Sequence, residues 1–139
     1  MSSLAAVGIA AGLSACGNTQ VTGAIGVGDV RAQNVITTPA PGEKEPATIT
    51  QKAQCKNGVV GPTTVAKELY STASVSEVKN FYTALAAQGQ WYLRESSGSL
   101  LNYSKQQDNR YWQLHISLAS SADGQYVVML EAYNNGAHC

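Results

Sequence analysis

Beyond residue 89 the chain passes through four strand-like segments whose turns are too short for anything but antiparallel neighbours. Residues 90–95 end at Ser96-Ser97-Gly98, and residues 100–105 end at the polar run 106–109. Residues 110–118 place Trp112, Leu114, Ile116 and Leu118 on one face at a period of two. Ala122-Asp123-Gly124 then supplies a hairpin signal before residues 125–133. Upstream, Ser74-Val75-Ser76-Glu77 is a capping box, with the Ser hydroxyl accepting from the Glu77 amide and the carboxylate reaching back. Behind it Val78, Phe81, Tyr82, Leu85 and Ala86 recur at three- and four-residue spacing, which predicts a helix over 74–88. Gly89 is the natural residue for a left-handed stop. Residues 64–70 alternate loosely and read as a first strand. The expected fold class is α+β, with one α-helix packed on a four- to five-stranded antiparallel β-meander.

The two Trp, seven Tyr and one Phe all lie at or beyond Tyr70, so a core belongs to the later part of the chain. Residues 17–54 read as linker, with Pro39, Pro41 and Pro46 close together and Gly23, Gly26 and Gly28 before them, and a poorly conforming part of the domain itself is the alternative. A flexible coil of that length has a root-mean-square span of roughly 35 Å. Only Val35-Ile36-Thr37 has the character of a short strand that docks on the domain. Net charge is zero and 13% of residues are charged, without the clustered Lys and Arg that nucleic-acid binding requires.

At the start of the chain, about a dozen mainly apolar residues precede Leu13-Ser14-Ala15-Cys16. The run is too short to span a bilayer, which takes roughly 20 residues, but matches the hydrophobic region of a signal peptide. Leu13-Ser14-Ala15-Cys16 resembles the lipobox of bacterial lipoproteins, although Met1-Ser2-Ser3 carries none of the basic residues that usually open such leaders. The resemblance implies a diacylglyceryl thioether on Cys16, cleavage before it, and anchoring through two or three acyl chains. Each buried methylene contributes about 0.8 kcal/mol, so several chains hold where one does not. A buried N-terminal helix is the competing reading, but residues 5–12 have no polar face and Gly8 and Gly12 weaken a helix. The implied organisation is a signal peptide over 1–15, a lipidated N-terminus and flexible tether over 16–54, and an α+β domain over 55–139. The stretch Ser74-x-x-Glu77 through Phe81-Tyr82 to Gly89-x-Trp91 is similar to small secreted bacterial domains of unassigned function, and implies no activity.

With Cys16 lipidated, Cys55 and Cys139 remain as an even pair in an oxidising compartment. A bridge between them closes an 84-residue loop and stabilises by about 4–5 kcal/mol. The alternatives are two free thiols or pairing with another chain. His115 and His138 read as solvent-facing, without the three or four convergent ligands that a metal needs. No nucleophile elbow, phosphate loop or carboxylate pair is present in the sequence, and no cofactor is expected. Asn57-Gly58-Val59-Val60-Gly61 lacks the Gln of the cystatin loop and precedes the helix, so that likeness is set aside.

If Trp91, Leu93, Trp112, Leu114, Ile116, Val128 and Leu130 face the helix, the opposite face carries Tyr92, Arg94, Tyr111, Gln113, His115, Met129 and Tyr133. Aromatics mixed with hydrogen-bonding groups suit a binding surface, and a wet sheet face is the ordinary alternative. The expectation is an exported lipoprotein, membrane-anchored on the periplasmic or extracellular face of the bacterial cell envelope. It acts by binding or scaffolding rather than catalysis, with an envelope protein or glycan as partner and no nucleic acid. The alternative is an accessory or inhibitor domain that docks a partner protein through the tyrosine-rich face.

Overall fold

A computed structural model describes residues 20–139. The expected signal peptide and Cys16 lie outside the described residues. Two short helices, α1 (Val27–Arg31) and α2 (Asn34–Thr37), precede strand β1 (Glu43–Gln51). A small hairpin of β2 (Cys55–Lys56) and β3 (Val59–Val60) leads into β4 (Thr63–Ser71) and the long helix α3 (Val75–Gln88). Then come β5 (Tyr92–Ser96), β6 (Leu100–Gln107), β7 (Arg110–Ser117) and β8 (Gln125–Ala132). The main sheet has six strands in the order β1-β4-β8-β7-β6-β5, all pairs antiparallel. The fold is α+β with β5–β8 as the expected meander, but the sheet is wider than four or five strands.

The helix begins as its sequence dictates. Ser74 Oγ accepts from the Glu77 amide at 3.1 Å, and Val78, Tyr82 and Ala86 are fully buried. Its end differs from expectation. Gly89 has φ −83°, and the left-handed residue is Gln90, at φ 61°. Gln90 N–H donates to Ala87 and Trp91 N–H to Ala86, which is a Schellman closure with Gln90 past the cap. Glycine is needed at 89 for space: a Cβ there would stand 2.9 Å from the Trp91 ring, which folds back over the helix end.

The expected tether is corrected from residue 20 onward. Val30, Val35, Ile36 and Ala40 are at most 5% exposed and join the same core as α3 and the sheet. Residues 35–37, expected as a strand, form the helical turn α2, and β1 pairs along β4 as an edge strand. Area explains the cover. The helix has 14 residues and is therefore about 21 Å long. Six strands spaced about 4.8 Å apart are wider than one helix can roof. Pro46 is tolerated because it sits in a bulge between Lys44 and Ala47 on an edge strand, where Glu45 takes a left-handed φ of 54°. Gly42, at φ 63°, turns the cover segment down onto the sheet, and a Cβ there would lie 2.9 Å from the Ala73 amide nitrogen.

Two polar clusters hold this cover. On the apolar side of β4, Lys67 Nζ meets Glu43 Oε1 at 2.6 Å, with side chains 5% and 11% exposed. Glu43 also accepts from the Ala40 amide, and Lys67 donates to the Thr38 carbonyl. At the other end of β4, Asn134 Oδ1 accepts from Ile25 N–H and Arg110, while its Nδ2 donates to Gly61 O and Thr63 Oγ1. Thr63 Oγ1 in turn donates to the Ile25 carbonyl at 2.8 Å. Beside the first cluster the Tyr82 hydroxyl is buried without a partner among the described residues. Burial, and secondarily the Glu43 charge, push its pKa well above the ordinary tyrosine value of 10.0.

Lys67→Met should therefore destabilise by about 3–5 kcal/mol, because it strands the Glu43 carboxylate, and Lys67→Met/Glu43→Leu should recover most of that loss. Urea unfolding of the two variants checks this. Tyr82→Phe removes an unsatisfied hydroxyl and should stabilise by about 1 kcal/mol. The raised folded pKa means that stability falls as pH climbs above 10.0, where the unfolded tyrosine ionises first. Thermal melts across that range should show a shallower alkaline decline in Tyr82→Phe.

Candidate functional site

The sheet face away from α3 is built from alternate residues of each strand. Register puts Tyr92, Ser104, Gln113, Glu131 and Thr64 in one transverse row, with Asn102, His115, Met129 and Ala66 in another. Of the seven residues expected on this face, Tyr92, Arg94, Tyr111, Gln113, His115 and Tyr133 are brought there in three groups, and Met129 pairs with His115. Leu93, expected to face the helix, is 55% exposed: β5 is the outer edge strand, and the core does not reach over it.

The first group is a pair of phenols bridged by an amide. Tyr133 OH donates to Gln113 Oε1 at 3.2 Å, and Gln113 Nε2 donates to the Tyr111 oxygen at 3.3 Å. The two rings meet edge to face at 5.6 Å. Donation by Gln113, followed by a hydrogen bond with Ser104, lowers the Tyr111 pKa; burial opposes this, and the Arg94 charge adds a lesser lowering. Burial, then Glu131 and Tyr111, raise that of Tyr133. The two bridged tyrosines are thus shifted in opposite senses, Tyr111 by the amide and Tyr133 by its burial.

The second group lies at the β5 edge. Arg94 sits in the bulge of β5, its Nε 2.6 Å from the buried Ser104 Oγ and its guanidinium 5.7 Å from the Tyr92 ring centroid. Tyr92 is 70% exposed. Next to it, Lys105 caps the end of α3 by donating to Gly89 O at 3.1 Å, with its ammonium 4.5 Å from the Trp91 ring centroid. Burial lowers the Lys105 pKa, with Asp108 acting in the opposite sense. Trp91, Tyr92, Arg94, Lys105 and Tyr111 surround a shallow depression of about 610 Å³ over Ser104.

The third group was not legible as a unit. Asn102 Nδ2 donates to Glu95 Oε1, which orients the amide so that its Oδ1 meets His115 Nδ1 at 2.7 Å. His115 Nε2 stands 3.1 Å from Glu131 Oε1. Both partners of the imidazole are acceptors, so the ladder is complete when both ring nitrogens carry hydrogen. His115 is therefore held in a row of polar side chains rather than simply facing solvent. His138 is exposed, and its backbone pairs with Thr22. Among the described residues, no three His, Cys, Asp or Glu side chains stand close enough to hold a metal ion.

Cys55 and Cys139 form a disulfide, with Cα atoms 5.9 Å apart. The Asn57-Gly58 turn between β2 and β3 has both residues at positive φ, 53° and 77°. That dipeptide is the usual mark of a two-residue hairpin, and it is the signal that would have found β2 and β3 in the sequence. Compared with protein families, curated proteins and solved structures, the chain matches none.

Tyr111 should be the first of the paired phenols to ionise in an ultraviolet titration. Gln113→Ala should move that step upward, toward ordinary tyrosine behaviour, while far-ultraviolet dichroism stays unchanged.

Proposed function

We propose that this protein is a lipoprotein of the bacterial cell envelope, anchored through acyl chains on Cys16, whose α+β domain binds or scaffolds rather than catalyses. The observation that carries this reading is the fate of the cysteines. Pairing of Cys55 with Cys139 leaves Cys16 as the remaining cysteine of the sequence, in the lipobox-like Leu13-Ser14-Ala15-Cys16 behind an apolar run. A disulfide that closes an 84-residue loop suits an oxidising compartment, which export supplies. Among the described residues no helix is long and apolar enough to cross a membrane, so attachment in this reading rests on the lipid. Binding rather than catalysis is favoured by the open face, where His115, Glu131, Asn102 and Glu95 are engaged with one another.

A second reading, docking of a partner protein through the tyrosine face, draws on the exposure of Tyr92 and Leu93 at an uncovered sheet edge. Substituting Tyr111 and Tyr133 with Ser should then abolish partner capture while the domain stays folded.

An intact mass of the protein from its native membrane fraction tests the first reading. The expected chain begins at Cys16, is heavier by two or three acyl groups, and gains two hydrogens on reduction. An unmodified chain that retains Met1 overturns it.

A further inference from the structure

The point where the chain enters the domain sets how far an anchor on Cys16 can hold that domain from a bilayer. Thr22 pairs with His138 through both backbone bonds, at 2.8 and 3.0 Å, and Gln20 O lies 3.8 Å from Cys55 Sγ. Entry is thus at the disulfide end of the sheet. Cys16 is four residues before Gln20. Even fully extended, four residues reach about 14 Å. A strand of eight residues, such as β7, is about 27 Å long, so the anchor falls short of the domain's own height. The roughly 35 Å of free coil expected from residues 17–54 does not exist once β1 and the two short helices are part of the fold.

We infer that the domain is seated directly on the phospholipid surface by its disulfide end, with the β2–β3 hairpin as the contacting element. This rests on the lipoprotein reading. The hairpin joins the last residue of β1 to the first of β4, so connectivity places it at that end. Its chemistry fits an anionic headgroup layer. Lys52 and Lys56 are exposed and have no carboxylate within ion-pair distance among the described residues, and Val59, 66% exposed, stands across the hairpin from Lys56. Lysines near an anionic leaflet are drawn to it within about a Debye length of the surface. Asp29 and Asp108, exposed at this end, line a hollow together with one cation, Arg110. Tyr92, Tyr111 and Tyr133 also lie toward this end of their strands, so the tyrosine face meets the water layer just above the headgroups instead of being displayed far out.

The test uses the full lipidated chain in vesicles of phosphatidylethanolamine and phosphatidylglycerol that carry nitroxide headgroups. A fluorescent amino acid, which adds no thiol, is placed at Gln54 in one sample and at Ser121, at the opposite end of the sheet, in another. Quenching should be several-fold stronger at Gln54, and Lys52→Glu/Lys56→Glu should weaken quenching at Gln54 severalfold while the acyl mass on Cys16 persists. Equal quenching at both positions in a chain whose mass shows acylated Cys16 overturns the seat and leaves the anchor standing. A contrast that grows with protein density assigns the hairpin to a second copy of the chain, which also overturns it. A mass without acyl chains removes the lipoprotein reading and the seat together.

Discussion

A single helix of 14 residues cannot roof a six-stranded sheet, and the rest of the structure answers that mismatch. The apolar side of the sheet carries Trp112, Leu114, Ile116, Tyr126, Val128 and Leu130, none of them more than 2% exposed. At about 25 cal/mol per Å² of apolar area, leaving part of that face wet would cost several kcal/mol. The residues before β1 take up the uncovered part, with Val30, Val35 and Ile36 as their contribution to one continuous core.

Such a cover has little regular backbone of its own, so its orphan polar groups need partners from the sheet. Lys67 and Glu43 meet under one end of it, and Asn134 gathers Ile25, Gly61, Thr63 and Arg110 under the other. Ser71 bridges the two layers as well, donating to the Pro41 carbonyl and accepting from the Ala73 amide. A buried ion pair adds little net stability over an apolar pair of the same size, but losing one partner is costly. These clusters therefore fix where the cover lies more than how strongly it is held. The same arrangement brings Gln20 beside the Cys55–Cys139 bridge, and this carries the argument about distance from a membrane.

Helix α3 was legible because its signals are local: Ser74 caps it, and Val78, Tyr82 and Ala86 recur on one face. The meander was legible for the same reason, since period-two alternation and short turns act between neighbours. The place of residues 20–54 in the domain is not legible in sequence because their composition imitates a linker. Pro46 marks a bulge on an edge strand, α1 and α2 are only five and four residues long, too short to show a helical period, and the tyrosines and tryptophans that usually betray a core lie elsewhere. Gly89 ends the helix as its sequence signals, but the ring of Trp91 is what excludes a Cβ there, while Gln90 takes the left-handed turn. On the open face, alternation put the six candidate residues on the correct side. Their division into a phenol pair, an arginine–tyrosine edge and a histidine ladder needed the register of β5 through β8.

By itself the sequence determined the capped helix, the antiparallel meander and the two faces of its strands. Those features follow from caps, periods and turns that act over a few residues. Tertiary structure alone decided that residues 20–54 belong to the domain, that Lys67 is buried against Glu43, and that Asn134 ties Ile25 to the start of β4. These depend on the area of a sheet assembled from distant segments and on the orphan polar groups that covering it creates. No local pattern encodes either quantity.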